Sequence, residues 1–386
     1  MDTKKVLHIV LNSFQHDSRV LREISALHEL NMRQLVFCLY DKGLKRHETL
    51  PDHRIRRFRL YTKILPKMLA FQLIKYAECF LRMIWVGCRR KPHIVHAHDL
   101  HGLVIGWFIA FCSGAHLVYD SHEYWQDSAY TRKLPRWMQK ILPAIEGFCA
   151  RRCDAVIAVS DSIVDLMHER LRLPHRPTLL RNIPKLQQDR PELALRRRLN
   201  ISQDTLVLLY QGALTRARGL FLLIEAFAEL KPANTALVFL GNGADVDRLH
   251  ETIAARQLQD SVFHLPAVPP EILFSYTADA DIGVSPIQAT NLSYEYSLPN
   301  KIFEFIHAGL AIFASDLTEI SFLIHNYNIG QTFKRDDRQD LVFKLRLLLE
   351  NPALIDIYKN NSRQAAHILN WDTEQEALLH LYKHLR

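Results

Sequence analysis

Short apolar runs recur along the chain, and amphipathic segments separate them. The runs lie at 6–11, 34–39, 94–97, 116–119 and 155–159 in the first half, and at 206–210, 236–240, 261–265, 282–284 and 311–314 in the second. Few of them alternate polar with apolar residues, which is typical of strands buried on both faces of a parallel sheet. The pattern therefore predicts two sets of buried parallel strands.

The segments between these runs have helical periodicity, as at 19–29, 161–171, 220–230 and 302–308. Strands that alternate with helices predict a doubly wound α/β fold, here twice, and 386 residues suffice for two domains. A polar stretch with two prolines at 184–198 marks the boundary. We expect domains at 1–184 and 185–368, and a final helix at 369–386 that packs back on the first domain.

Composition is ordinary for a globular protein, with 48% hydrophobic and 23% charged residues, which excludes a disordered or fibrous chain. The formal net charge is +8, but its distribution is uneven. Residues 1–190 hold 31 Lys and Arg against 18 Asp and Glu, whereas residues 191–386 hold 18 against 23. The first half is therefore expected to face an anionic partner.

The six cysteines all lie in the first half, and no two form a C-x-x-C pair. The first residues lack the apolar segment and cleavage site of a signal peptide. We therefore expect free thiols and a cytoplasmic location.

Two amphipathic segments, 64–85 and 134–153, mix aromatic with basic residues. Charges interrupt both, so neither is expected to span a bilayer. One interpretation is peripheral contact with the anionic inner face of a membrane, and the other is helices that only cover a sheet. The contact residues would be Trp85, Arg89, Arg90, Arg132, Lys133, Arg136 and Trp137.

Polar residues follow three of the predicted strands in the first half, at 12–19, 96–101 and 120–125. Because carboxyl ends of parallel strands share one edge, His98, Asp99, His122 and Glu123 are expected at a common crevice. His96 and His98 alternate on a strand and could bind one metal ion, or form local hydrogen bonds. Two histidines are a weak ligand set, so we expect no metal site.

In the second half, residues 212–219 run from a strand into a helix. Gly212 and Gly219 permit close approach of the backbone, and Arg216 and Arg218 add positive charge, which suits a phosphate group, although such arginines are often only solvated. A Gly-Asn-Gly turn at 241–243 gives weaker support for a nucleotide loop, with Asn242 facing the ligand.

The segment 297–309 predicts a helix capped by Ser297 or Asn300. Its first turn, with Pro299, Asn300 and Lys301, offers N–H groups and a positive charge to an anion. Glu304 lies one turn further and suits a bidentate grip on a sugar diol, or it only complements the helix dipole. Together, these features predict a nucleotide-diphosphate site with a carboxylate for the ribose.

These motifs resemble those of family 4 glycosyltransferases of the GT-B fold. The resemblance lies in YQGALTRARGLFLLIEAF, FHLPAVPPEILFSYTADADIGVSP and SLPNKIFEFIHAGLAIFASD in the second half, and in DSRVLREISAL, VHAHDLHG and LVYDSHEYW in the first. It implies two Rossmann-like domains facing each other across a cleft, with the acceptor on the first and a nucleotide-sugar on the second.

The resemblance also assigns roles. Glu304 matches the second Glu of a Glu-x7-Glu pattern and would bind the ribose, and Arg218 would bind the diphosphate. His122 would face the donor sugar, while Asp17 and Arg19 would lie near the acceptor and the phosphates. The first Glu of the pattern falls at Tyr296, and Glu295 is the nearest acid.

We therefore expect a retaining glycosyltransferase that moves a sugar from a UDP- or GDP-linked donor to a hydroxyl of a lipid-linked glycan in cell-surface polysaccharide synthesis. No metal and no cofactor besides the donor are expected. One alternative is a sugar-nucleotide epimerase on the same fold. Another is a basic nucleic-acid-binding protein, which lacks support because no basic-aromatic recognition motif is present.

Overall fold

The computed structural model describes residues 3–15, 17–187 and 192–385. The chain divides into two compact units. Unit 1 comprises residues 1–181 together with 375–386, and unit 2 comprises residues 182–374. The end of the chain thus groups with the first unit.

Unit 1 is built on one sheet. Its strands are β1 (Lys5–Ile9), β2 (Arg33–Leu39), β3 (His47–Thr49), β4 (His53–Phe58), β5 (Ile94–His98), β6 (His116–Ser121), β7 (Ala155–Ala158) and β8 (Thr178–Leu179). Its helices are α1 (Ser18–Glu29), α2 (Leu69–Arg90), α3 (Asp99–Ser113), α4 (Arg136–Ala150) and α5 (Asp161–Leu171).

The strand order in this sheet is β3-β4-β2-β1-β5-β6-β7-β8, and only β3 runs antiparallel to its neighbour. The order reverses between β1 and β5, which is where ligands bind in doubly wound sheets. The apolar pattern missed β3, β4 and β8. β4 reads HRIRRF, and its basic residues hide an alternation in which Ile55 is buried while Arg54 is exposed.

Unit 2 has a second sheet. Its strands are β9 (Leu206–Gln211), β10 (Thr235–Leu240), β11 (Val262–Leu265), β12 (Ile282–Ser285), β13 (Ala311–Ser315) and β14 (Gly330–Phe333). The helices from here to the end of the chain are α6 (Leu195–Leu199), α7 (Leu220–Leu230), α8 (Val246–Ala255), α9 (Pro270–Thr277), α10 (Leu292–Glu295), α11 (Asn300–Ala308), α12 (Thr318–Tyr327), α13 (Arg338–Leu349), α14 (Pro352–Ala366) and α15 (Trp371–His384).

All strands of the second sheet are parallel, in the order β11-β10-β9-β12-β13-β14. Neighbouring residues of β9 join different core clusters: Val207 and Leu209 contribute to one, Leu208 and Tyr210 to the other. The sheet is therefore buried on both faces, as its apolar runs predicted. Only β14, with the sequence GQTF, escaped the pattern. The predicted fold class, two doubly wound α/β domains, is confirmed.

None of the six cysteines, which all lie within the described ranges, forms a disulfide. Among the described helices, none combines the length and apolar character needed to cross a bilayer.

Candidate functional sites

The unit 2 cavity, of about 570 Å³, lies where β9 and β10 end and α11 begins. It brings together residues separated by about ninety positions in the sequence. Those also predicted from the sequence are Gly212, Arg218, Asn242, Pro299, Asn300, Lys301 and Glu304. The strand order reverses between β9 and β12, so this cavity occupies the edge where doubly wound sheets bind ligands.

Two glycines make the entry to α7 possible. Gly219 has φ +75°, and a Cβ on it would collide with the carbonyl oxygen of Pro286. Gly212 has φ +121°, and a Cβ there would lie 3.5 Å from Lys301 Nζ. A side chain at Gly212 would therefore obstruct the space around this ammonium group, while Gly219 shapes the loop without lining the cavity.

Lys301 is the most unusual residue of the unit 2 cavity. It is only 8% exposed, and its Nζ lies 3.9 Å from the centroid of the Tyr210 ring. Among the described residues, this ammonium has no hydrogen-bond acceptor. Burial, followed by repulsion from Arg218, lowers the pKa of Lys301 well below its ordinary value, against the influence of Glu304. An anion in the cavity would relieve this penalty.

The N-terminus of α11 faces the same space. Its N-cap is Pro299, and no side chain caps it. The predicted cap by Ser297 or Asn300 is therefore wrong: the Ser297 hydroxyl instead donates to the carbonyl of Tyr294 at 2.9 Å. Without a side-chain cap, the N–H groups of the first turn remain available as hydrogen-bond donors, and an anion in the cavity can accept from them.

Glu304 lines the unit 2 cavity from the second turn of α11. Gln211 at the end of β9 donates its amide to Glu304 Oε2, and the Gln211 oxygen accepts from the Thr277 hydroxyl at 2.8 Å. The carboxylate is thereby held in one orientation. Gln211 was not singled out from the sequence, although it directly follows the predicted strand 206–210, where ligand-binding residues of such sheets are expected.

Besides Gly219, two predicted residues of unit 2 lie outside the cavity lining. Arg216 is exposed, and its backbone N–H donates to Asp245 Oδ2 at 2.6 Å. Glu295 pairs with Arg335 and accepts a hydrogen bond from the Thr318 hydroxyl at 2.7 Å. Arg218, rather than Arg216, therefore brings its charge to the cavity, and Glu295 is occupied with structural partners.

The unit 1 cluster consists of polar side chains at the carboxyl ends of β1, β5 and β6, centred on Asp120. Arg19 donates two hydrogen bonds to this carboxylate, at 2.8 and 2.7 Å, and a third to the carbonyl of Leu180 at 2.8 Å. Although burial would raise it, Arg19 and His122 hold the pKa of Asp120 well below its ordinary value. Arg19 is only 3% exposed, so the predicted acceptor-side contact becomes a buried residue that positions Asp120.

His122 lies at the open side of the unit 1 cluster, with 23% of its side chain exposed. Its Nε2 is 2.9 Å from Asp120 Oδ2 and its Nδ1 is 3.6 Å from Asp99 Oδ2. Against burial, these two carboxylates raise the pKa of His122 to about 10. Asp99 is held in turn by the His122 backbone N–H at 3.2 Å and the Trp125 indole at 3.0 Å. A charged imidazolium is thus fixed at this edge.

Three further histidines form the interior of the cluster. His8 Nδ1 lies 3.2 Å from His98 Nε2, and His96 Nδ1 lies 2.8 Å from the Tyr382 hydroxyl of α15. Burial lowers the pKa of His8 to about 3 and lowers those of His96 and His98. The sequence predicts His98 at a crevice, as a contact for the acceptor. In the structure it is buried, and its lowered pKa favours the neutral imidazole.

Ligand-type atoms of Glu23, His96, His98 and Asp120 lie within 4.8 Å of one another. Arg19 Nε also approaches Glu23 Oε1 to 3.1 Å, so one guanidinium contacts both carboxylates of this set. Burial and the charge of Asp120 raise the pKa of Glu23 well above its ordinary value. Neither carboxylate oxygen of Glu23 nor Nε2 of His96 has a hydrogen-bond partner among the described residues. The positive charge of Arg19 beside both acids opposes a cation in this set.

The remaining predicted residues of unit 1 lie in loops beside the cluster. Asp17 caps α1 by accepting from the Val20 N–H at 3.3 Å, and it also accepts from the Asn12 amide at 2.9 Å. Glu123 is half-buried, and its carbonyl accepts from the Ser121 hydroxyl at 2.8 Å. Asp17 therefore has a defined structural role at the start of α1.

The aromatic residues predicted to contact a membrane are exposed, Trp85 to 61% and Trp137 to 54%. The Arg89 guanidinium lies 3.6 Å from the centroid of the Trp85 ring. Arg90, Lys133 and Arg136 are exposed, and Arg132 forms a bidentate pair with Asp127. Apolar residues on α2, α3 and α4 are exposed as well: Leu73, Ile74, Leu81, Phe111, Ile141 and Phe148.

Comparison with known protein families matches each of the two units to a glycosyltransferase domain. The model of the glycosyl transferase 4-like domain matches residues 17–182, and that of glycosyl transferases group 1 matches residues 192–365. No curated protein matches the chain significantly.

Among solved structures, the sucrose-phosphate synthase of Thermosynechococcus elongatus is 17% identical, with a TM-score of 0.82 over 99% of each chain. HepE of Anabaena in complex with UDP is 16% identical, with a TM-score of 0.76 over 98% of this chain and 99% of that one. WaaG, a glycosyltransferase of lipopolysaccharide biosynthesis, is 15% identical, with a TM-score of 0.70 over 96% and 98%. The two matched domain models show that the chain belongs to the group 1 glycosyltransferases, and the solved structures share its two-domain GT-B fold.

Proposed function

We propose that this protein transfers a sugar from a nucleotide-sugar to a hydroxyl group of a glycan acceptor. The observation that carries the proposal is the buried ammonium of Lys301, which has no hydrogen-bond acceptor among the described residues and faces the unit 2 cavity. A buried cation without a hydrogen-bond acceptor is costly, and a diphosphate group supplies both the acceptor and negative charge.

The other residues of the unit 2 cavity fit the remainder of such a donor. The uncapped first turn of α11 and the Arg218 guanidinium add positive potential around the diphosphate. Glu304, oriented by Gln211, presents a carboxylate to the two hydroxyls of a ribose. Since HepE is a structural relative in complex with UDP, a UDP-linked sugar is the first donor to test, and a GDP-linked sugar the second.

In the proposed reaction, the bond between the anomeric carbon and the diphosphate oxygen breaks as the acceptor oxygen bonds to that carbon. The acceptor proton passes to a donor phosphate oxygen, and the anomeric configuration is retained. Lys301, Arg218 and the α11 N-terminus stabilise the leaving diphosphate, so the proposal requires no divalent metal. His122, fixed as an imidazolium by Asp99 and Asp120, would hydrogen-bond to the donor sugar.

In this proposal, unit 1 binds the acceptor while the acceptor stays attached to a membrane. The exposed Trp85 and Trp137, with basic residues beside them, suit the interface of an anionic bilayer. A lipid-linked glycan at the cytoplasmic face of the inner membrane is the acceptor class that agrees with the basic charge of residues 1–190.

Calorimetric titration of UDP, UDP-glucose, GDP and GDP-mannose tests the donor. We expect one nucleotide series to bind, and Glu304→Ala to weaken it about a hundredfold because two charge-assisted hydrogen bonds to the ribose are lost. Glu251→Ala, an exposed acid of α8, is the matched control and should bind as the native protein does. Equal affinity of both variants would contradict the proposed role of Glu304, and failure of every nucleotide would overturn the proposed donor.

Product analysis then tests the chemistry. With the nucleotide identified, we expect transfer to persist in the presence of a chelator, and NMR of the product to show the anomeric configuration of the donor. Loss of activity on chelation, restored by a divalent cation, would overturn the metal-independent mechanism while leaving the donor assignment intact.

A further inference from the structure

Unit 1 has a second cavity, distant in sequence from the residues of the unit 1 cluster. This arginine cavity, of about 490 Å³, lies between the β3–β4 hairpin and α2. Four guanidinium-bearing residues and two aromatic residues contribute to its lining: Arg46, Arg56, Arg57, Arg82, Phe58 and Trp85. No sequence motif singled it out, because Arg46 and Arg82 belong to different elements.

Positive charge in the arginine cavity exceeds negative charge. Arg57 pairs with Glu48 at 2.6 Å, and Arg82 pairs with Glu78 at 2.8 Å. Within the described ranges, neither Arg46 nor Arg56 has an ion-pair partner. Burial and the repulsion of Arg90, Arg46 and Arg82 lower the pKa of Arg56. The cavity therefore carries about two uncompensated positive charges, the charge that a phosphate monoester neutralises at pH 7.

The arginine cavity lies on the functional edge of the sheet. In the parallel pair of β2 and β4, Leu39 at the end of β2 aligns with Phe58 at the end of β4. Arg57 and Phe58 therefore stand at the carboxyl end of β4. Arg57 Nε also donates to the carbonyl of Ser13 at 3.2 Å, in the loop that leads to Asp17 and α1. One lining residue of the cavity thus contacts the loop at the end of β1, which leads to the unit 1 cluster.

One side of the arginine cavity is apolar and open. Trp85 lines it from α2, and Leu81, one turn earlier, also contributes and is 66% exposed. Arg89 lies over the Trp85 ring on the same helix. A soluble anion would use only the guanidinium groups, whereas a phosphate attached to an acyl or prenyl chain would use both the charge and this apolar surface.

We propose that the arginine cavity binds the phosphate group of a membrane lipid, with Leu81 and Trp85 inserted at the bilayer interface. Arg46 and Arg56 supply the charge-assisted hydrogen bonds, and Arg57 and Arg82 are held in place by Glu48 and Glu78. The inference rests on the membrane contact within the proposed function, and it adds a specific site to a diffuse attraction.

Vesicle binding distinguishes a site from diffuse charge. The full-length protein is titrated with phosphatidylcholine vesicles that contain a small fraction of either phosphatidic acid, a phosphomonoester, or phosphatidylglycerol, at matched surface charge. We expect tighter binding to the phosphatidic acid vesicles, and a loss of about tenfold or more of that affinity in the double variant Arg46→Gln/Arg56→Gln. Inorganic phosphate should lower the affinity for the phosphatidic acid vesicles to that for the phosphatidylglycerol vesicles.

The matched control is Arg33→Gln/Arg54→Gln, which removes the same charge from exposed positions of β2 and β4 outside the cavity lining. It should keep the preference for phosphatidic acid. Equal loss in both double variants, or equal binding to both lipids, would overturn the site in favour of diffuse attraction. Binding of inorganic phosphate with no preference among vesicles would overturn the lipid as its source.

Two measurements on the same preparations keep the inference separate from the proposed function. Thermal unfolding must show that both double variants are folded. Nucleotide affinity, which resides in unit 2, should be unchanged in both of them. Loss of lipid preference with intact nucleotide binding is the expected result, whereas intact lipid preference in Arg46→Gln/Arg56→Gln, whatever the nucleotide result, overturns the arginine cavity alone.

Discussion

The unit 1 cluster and the unit 2 cavity occupy equivalent places, at the carboxyl ends of strands where each sheet reverses its order, yet they treat charge in opposite ways. In unit 1, Asp120 receives two hydrogen bonds from Arg19 and a close contact from His122. In unit 2, the ammonium of Lys301 is buried without a hydrogen-bond acceptor among the described residues. The carboxylate of Asp120 is paired in the free protein, whereas the ammonium of Lys301 has no hydrogen bond there.

This difference indicates that the unit 1 cluster stabilises the structure, whereas the unit 2 cavity binds a ligand. A paired, buried network keeps its geometry whether or not a ligand is present, so the unit 1 cluster can hold His122 ready. An unpaired buried charge weakens the free protein and strengthens its complex with an anion, so the unit 2 cavity gains stability from its ligand. Mutations at the two places should therefore change stability in opposite directions.

Asp120→Asn should have the largest effect. It removes the charge but keeps the shape, and leaves Arg19 buried without its bidentate partner, which costs about 3–5 kcal/mol of unfolding free energy. Urea unfolding measures this. The control Asp127→Asn breaks the exposed pair with Arg132 and should cost about 0–1 kcal/mol. Equal losses in the two variants would mean that the unit 1 cluster does not support the structure of unit 1.

Lys301→Met should show the opposite sign. Replacing a buried ammonium with an apolar side chain of similar length removes a desolvation penalty, so the free protein should gain about 1–2 kcal/mol of unfolding free energy. Nucleotide affinity should fall at least tenfold, because the diphosphate loses its nearest buried cation. Urea unfolding and calorimetry measure the two quantities, and a variant that loses both stability and affinity would contradict the comparison.

The pH dependence of nucleotide binding should be smaller but distinctive. The pKa of Lys301 lies well below its ordinary value of 10.5 in the free protein, and a bound diphosphate should raise it. Binding then takes up a proton, so affinity for UDP-glucose should fall as pH rises between the two values. Calorimetry in buffers of different ionisation enthalpy reports that proton.

The control for this experiment is Lys301→Arg, which keeps the positive charge at a group that stays protonated at any such pH. Proton uptake should vanish in this variant. If the variant takes up as many protons as the native protein, the proton belongs to another group.

His122 should change the pH profile of stability rather than the stability at a single pH. Its pKa rises from 6.5 to about 10 on folding, so its contribution is fully present below pH 6.5 and is lost as pH rises toward 10. The unfolding free energy of the native protein should therefore decline over that range more than that of His122→Gln. Urea titrations at several pH values measure the difference, and parallel profiles would show that Asp99 and Asp120 do not stabilise the charged imidazole.

The sequence identified the strands of both sheets where apolar residues are continuous, as in β9 and β10, and failed where charged residues alternate with buried ones, as in β4. It also identified Lys301, Glu304 and Arg218, because a helix start after a buried strand fixes their place along the chain. Periodicity depends only on neighbouring residues along the chain, and so does the position of these three residues at the start of a helix.

Burial and pairing are not local properties, and there the sequence misled. Arg19 and His98 looked like surface residues of a crevice, but Asp120, about a hundred positions after Arg19, holds Arg19 inside the unit. Glu295 looked available, but Arg335 pairs with it. The arginine cavity draws on β4 and α2, and no motif spans those elements. Such partners become visible only when the fold brings distant segments together.

The hydroxyl of Tyr382, 2.8 Å from His96, has a consequence for how the protein is made. Residues 375–386 group with unit 1, although the whole of unit 2 is synthesised between them and residue 181. On the ribosome, the first unit must wait for residues 375–386 before Tyr382 can bond to His96. Unit 2 is contiguous and can complete its sheet earlier, so the half of the protein that emerges first is the half that finishes last.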